Sequence, residues 1–144
     1  MWLEQLARGA QVSDAYPFPF LHRELDFRPL LRNLAWNRFH GRAANECARV
    51  FQRGIAQGLF EAVTALCAAN GVDTIVLSGG VFQNEILLED LKSMLDETAL
   101  QVWTNHAVPA NDGGISLGQA ALASFGRFNT GTSSSASSKQ QVSA

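Results

Sequence analysis

Basic charge is the first thing this chain is short of. Eleven Lys and Arg stand against thirteen Asp and Glu, a net charge of −2, with a pI near 5.9. No basic excess points to nucleic acid, and no polybasic run points to an anionic membrane surface. Long apolar runs are also missing. None approaches the roughly 20 residues needed to span a bilayer, and the opening MWLEQLARGA is charged and lacks the apolar core of a signal peptide. The cytoplasm is the expected compartment. Cysteine is scarce: Cys47 and Cys67 fall on one expected helix, about 30 Å apart at about 1.5 Å per residue, too far to bond to each other. Neither has a second Cys or His at ligand spacing, which argues for two buried thiols rather than a redox pair or a zinc site.

What is present is enough for a core. At 144 residues, 47% hydrophobic and 17% charged, the chain reads as one domain or a piece of one. Met1 to Ala10 carries Trp2, Leu3 and Leu6 at helical spacing. Tyr16-Pro17-Phe18-Pro19-Phe20 cannot be helix interior, because each proline removes a donor and fixes φ. Residues 18–27 have room for one or two short edge strands. Asp26 suits a helix N-cap, with Pro29 in the first turn and an end by Gly41. From Arg42 to Asn70, Cys47, Val50, Phe51, Ile55, Leu59, Ala62, Val63 and Leu66 recur at three- and four-residue steps, and Gly71 is a stop signal. Gly54 and Gly58, four apart on that helix, read as close helix–helix or helix–strand contact, with a ligand approaching the backbone as the lesser alternative.

The rest of the chain is organised around 74–118. The β-branched run Asp73–Leu77 predicts a strand covered on both faces, as in parallel sheets. It ends in Ser78-Gly79-Gly80. A helix is expected over Asn84–Thr98, a parallel strand at Gln101–Thr104 and a small-residue helix over Ile115–Phe125, packed tightly against a neighbour. Residues 1–127 form the expected domain. From residue 128 the composition is Ser, Thr, Gly, Gln and Ala, which predicts a disordered tail.

Two strand ends could hold a ligand, because ligands of open α/β sheets collect outside the carboxyl ends of the strands. At Ser78–Asn84, two glycines let the backbone approach a phosphate or ribose, and the following helix start favours an anion. The other reading is a tight turn with Asn84 as a cap. At Asn111-Asp112-Gly113-Gly114, Asp112 is either an N-cap or a metal-ligating carboxylate. His22, His40 and His106 follow no ligand pattern, although His106 lies in the loop before Asp112.

The motifs LSGGVFQN and VPANDGGISLGQA, with FQRGIAQGL on the long helix, resemble the C-terminal end of the HypF family, carbamoyltransferases that mature nickel–iron hydrogenases. The resemblance runs from Met1 to about Ala123. It implies one lobe of an actin/Hsp70/sugar-kinase-like (ribonuclease H-like) α/β fold, with a short, mainly parallel sheet flanked by helices. It implies ATP, activated as carbamoyl adenylate, and transfer of the carbamoyl group to a cysteine of a HypE acceptor. By motif match, Ser78, Gly79, Gly80, Asn84, Gly113 and Gly114 would line the nucleotide or carbamoyl-adenylate site, and Asp112 would ligate a divalent metal. The family's HxxxH histidine pair has no counterpart here, nor do its acylphosphatase-like, zinc-finger and adenylate-forming segments. The expectation is therefore a truncated enzyme, inactive alone. The alternatives are a weak nucleotide binder, at about −4 to −6 kcal/mol, and a self-associating remnant, a two-fold dimer.

Overall fold

The computed structural model describes residues 2–109 and 111–129. Helix α1, Trp2–Ala7, is followed by an extended stretch and a two-stranded antiparallel hairpin, β1 (Phe20–Leu21) and β2 (Glu24–Leu25). His22 and Arg23 form its turn with φ of 53° and 68°, the left-handed pair a tight hairpin turn demands. Helix α2, Phe27–Phe39, starts where Asp26 accepts a hydrogen bond from the Arg28 N–H at 3.0 Å. Helix α3, Ala44–Asn70, stops at Gly71, whose φ of 63° turns its N–H back onto the Cys67 carbonyl. These are the cap and stop expected of the sequence.

Strand β3, Thr74–Leu77, leads through a 3-10 turn at Gly80–Gln83 into helix α4, Glu85–Leu95. That helix is shorter than expected. Thr98 ends it by turning both its N–H and its hydroxyl onto the Leu95 carbonyl, at 2.9 and 2.6 Å. Strand β4, Gln101–Thr104, pairs in parallel with β3, Thr74 opposite Gln101 and Leu77 opposite Thr104. A second 3-10 turn, Asp112–Gly114, opens helix α5, Ile115–Asn129. The predicted tail from residue 128 therefore starts inside a helix, and 130–144 lie outside the described residues. No helix among the described residues is long and apolar enough to cross a membrane.

Two apolar clusters hold this together, both against α3. Ala56 on α3 meets Leu77 on β3 and Leu87, Leu91 and Leu95 on α4, with Ile75 and Val102 packed alongside. Tyr16, Leu30 and Val50 form the other cluster. Arg49 on α3 clamps Asp90 on α4 through two bonds, 2.5 and 2.8 Å. Gly54 and Gly58 mark a close approach, as expected, but to the extended segment rather than to a helix or strand: a Cβ on either would run into the carbonyl oxygen of Tyr16 or Phe18. Cys47 and Cys67 are free, buried thiols.

Two expectations fail here. β3 is covered on one face only, since Val76 is 65% exposed and its register partner Trp103 61%. α5 is not packed tightly either, and every residue from Ile115 to Phe125 is exposed. Alternating side chains point to opposite faces of a sheet. Ile75, Leu77 and Val102 use the covered face, and no described element lies over the other.

Candidate functional site

Both parallel strands end on the same side of the molecule, and their following turns meet. A Cβ built on Gly80 would stand 4.0 Å from the Asn111 Cβ. Before it, Gly79 holds φ 99° and ψ 159° with nothing within 4 Å of a built Cβ. That backbone region is essentially restricted to glycine, so the turn needs Gly79 for its conformation and leaves open space beside it. Ser78 and Gly80 are exposed. The 3-10 turn bonds Phe82 N–H to the Gly79 carbonyl and Asn84 N–H to the Val81 carbonyl, at 3.1 and 3.2 Å. The N–H groups of Gly80 and Val81, at the start of the turn, take no partner within it.

Two helix starts therefore lie close together, and only one of them is open. Asn84 is buried and caps α4, its Oδ1 accepting from the Leu87 N–H at 3.3 Å. The Glu85 N–H donates to the carboxylate of Glu4 at 3.2 Å. The anion at the α4 N-terminus is thus a side chain of the same chain, and the expectation that this helix start cradles a phosphate moves back to the 3-10 turn. Glu4 is 6% exposed. Burial, the largest single influence, would raise its pKa, but the hydrogen bonds from the Arg8 guanidinium at 3.0 Å and the Glu85 N–H, with the positive chain terminus, together outweigh it and hold the carboxyl below its ordinary range. Sequence reasoning missed Glu4 because nothing local signals a bond to a residue 81 positions away.

At the second turn the cap is Asn111, whose Oδ1 accepts from the Gly113 N–H at 2.9 Å. That removes the N-cap reading of Asp112. It is the first residue of the 3-10 turn and exposed, and its carboxylate has no side-chain partner among the described residues. Gly113 and Gly114 lack Cβ for a local reason. One at Gly113 would sit 2.9 Å from the Asn111 Oδ1, and one at Gly114 would sit 2.9 Å from the Val108 Cγ1. The histidines stay scattered: His22 in the hairpin turn, His40 stacked on Trp36 at 3.8 Å, and the exposed His106 with its Nε2 3.3 Å from the Thr104 hydroxyl. Among the described residues no three His, Cys, Asp or Glu side chains group as a metal site. The glycine turn leaves its main chain open. One exposed carboxylate does not by itself fit a metal.

The fold and its paired turns define an α/β lobe with an open end, of the Kae1-like kind. Residues 1–119 match the family described as the second subdomain of the Kae1-like domain of carbamoyltransferases. The chain belongs to this HypF carbamoyltransferase family. It is 39% identical over 119 residues to the carbamoyltransferase HypF of Rhizobium leguminosarum, covering 82% of this chain and 14% of that protein. To HypF of Rhodobacter capsulatus it is 31% identical over 123 residues, 85% of this chain and 16% of the other. A crystal structure of full-length HypF in a phosphate- and nucleotide-bound form superposes with a TM-score of 0.75 at 31% identity, over 92% of this chain and 18% of that one. The chain thus spans about one-sixth of the length of these relatives.

Proposed function

We propose that this chain supplies one lobe of a HypF-type carbamoyl-transfer site. In this reading Ser78, Gly79 and Gly80 receive a nucleotide, with Asn84 fixing the turn from below and Gly113 and Gly114 shaping the facing loop. The observation that carries it is the meeting of Gly80 with Asn111 at the ends of two parallel strands, with open main chain on one side and the Asp112 carboxylate on the other. The nucleotide-bound relative supports the ligand class. The reaction is formation of carbamoyl adenylate from carbamoyl phosphate and ATP, then transfer to a HypE-type cysteine during hydrogenase maturation in the cytoplasm. A divalent metal, when bound in a complete site, would draw one ligand from Asp112 and the rest from another lobe. What this chain contributes is an open backbone for the nucleotide and one acid. Alone it is expected to turn over no substrate.

The test is complementation. This chain is mixed with the complementary upstream fragment of a HypF relative, and transfer of the carbamoyl group to a HypE-type cysteine is measured. Activity in the mixture and in neither fragment alone is the expected outcome. No activity with both fragments folded overturns the reading.

A second reading rests on the bare sheet face. Val76 and Trp103 lie opposite each other in register and exposed, and Ile115, Leu117, Leu122 and Phe125 on α5 are exposed as well. Apolar surface of this kind is buried in assembly, and two copies joined about a two-fold axis would cover it. Sedimentation at micromolar concentration should show a dimer, and a monomer throughout removes this reading.

A further inference from the structure

The glycine turn has little of its own to hold it. None of Gly80–Gln83 is buried, and Gly79 lies in open space. Its hydrogen bonds run forward as a relay, Gly79 carbonyl to Phe82 N–H and Val81 carbonyl to Asn84 N–H. The relay ends at Asn84, whose neighbour Glu85 opens α4, so whatever fixes those two residues bears on the direction of the turn. Asn84 is fixed by its own cap bond to Leu87. Glu85 is fixed from another element: its N–H donates to Glu4 on α1 at 3.2 Å. Arg8 closes a triangle, its Nη2 donating to Glu4 at 3.0 Å and to the Glu85 carboxylate at 2.6 Å.

The two halves of the triangle differ in kind. The Arg8–Glu85 pair is exposed, with side chains 55% and 68% accessible, and exposed pairs contribute little. The Glu4 side chain is 7% accessible. A buried carboxylate that meets a helix N-terminus satisfies an otherwise unpaired N–H and is favoured by the helix dipole. We infer that Glu4 is a positioning residue for the nucleotide-facing turn, acting through the Glu85 N–H to set how Gly79 and Gly80 face Asn111. This rests on the nucleotide reading above, and it gives α1 a role in the site that the family match does not assign.

The test uses the full chain with hydrogen exchange and AMP titration as separate readouts. Glu4→Ala removes the acceptor, whereas Glu4→Gln keeps an oxygen for the Glu85 N–H. Ala7→Gly, on the buried side of the same helix, is the packing control. In Glu4→Ala the hydrogen-bonded amides of 82, 84 and 85 should exchange about tenfold faster while those of mid-α3 hold, and AMP affinity should fall about fivefold. Glu4→Gln should restore most of both. Unchanged exchange at 82 and 84 in Glu4→Ala overturns the inference. So does an equal rise across α3, or an Ala7→Gly variant that weakens AMP binding as much. Wild-type chain that binds no AMP at several millimolar removes the nucleotide reading instead, and the exchange pattern then decides the Glu4 tie alone.

Discussion

The two sides of the parallel sheet are built from the same strands and have opposite fates. On one side Ile75, Leu77 and Val102 sink into the layer formed by α3 and α4, where Leu91 and Leu95 are almost fully enclosed. On the other, Val76 and Trp103 stand in solvent, and away from the inner layer Ile115, Leu117, Leu122 and Phe125 of α5 are uncovered too. Composition separates them only in part, since the outer face carries Val76 and Trp103 beside Thr74 and Gln101. The difference is the partner: α3 supplies a 27-residue surface to pack on, and nothing among the described residues does the same for the outer face. Apolar residues thus make a stable layer only where the chain also brings the opposing surface.

The sharpest way to break this contrast is Leu91→Ala. Leu91 is 1% exposed, and a cavity there should lower stability by about 2–5 kcal/mol in urea unfolding. A loss below about 1 kcal/mol would mean the inner layer is not a packed core. Gly58→Ala comes next. The added Cβ meets the Phe18 backbone, which has little freedom to yield, and the cost should be about 1–3 kcal/mol. Tolerance would show that the extended segment is not seated on α3.

Tyr16 provides an alkaline test of the second cluster on α3. Burial first, and the neighbouring Cys47 second, push its phenol up to about 12 from 10.0. The folded state therefore keeps the proton longer than the unfolded one. Stability from this source is full below pH 10.0 and is lost as pH rises towards about 12. Tyr16 is the only tyrosine, so phenolate absorbance reads this one group. Ionisation near pH 10 in the folded protein would contradict its burial, and Tyr16→Phe should remove the alkaline loss.

Gln52 is a flaw on the buried side of α3. It is 2% exposed, and among the described residues neither its amide nitrogen nor its oxygen has a partner. An unpaired buried polar group costs about 1–3 kcal/mol, so Gln52→Met should stabilise by about 1 kcal/mol, read as a raised urea midpoint. Destabilisation would point to an unseen partner. The smallest effect belongs to the outer side: Leu122→Ala, at a residue 75% exposed, should change stability by less than about 0.5 kcal/mol. A larger loss would show that α5 is covered in solution.

The sequence was most legible where local chemistry decides the outcome. Asp26 and Gly71 mark the ends of α2 and α3 because a cap and a left-handed stop act within a few residues. The strand Gln101–Thr104 stands as expected, and so do the buried thiols and the close approach at Gly54 and Gly58. What was not legible depends on distant or competing partners. The cap at Asn111 rather than Asp112 turned on which of two adjacent acceptors reached the Gly113 N–H. The 3-10 turn at Gly80–Gln83 has no periodic signal, and Glu4 gives no local sign of its distant bond. The apolar strand and the alanine-rich helix announced that they can pack, not that they do.

The placement of the indoles has a practical consequence. Trp2, Trp36 and Trp103 are 79%, 63% and 61% exposed, and these are all the tryptophans in the chain. Intrinsic fluorescence therefore samples the rind of this protein and not its interior. Melting the inner layer should scarcely alter the emission, whereas any molecule settling on the outer sheet should shift it to the blue through Trp103.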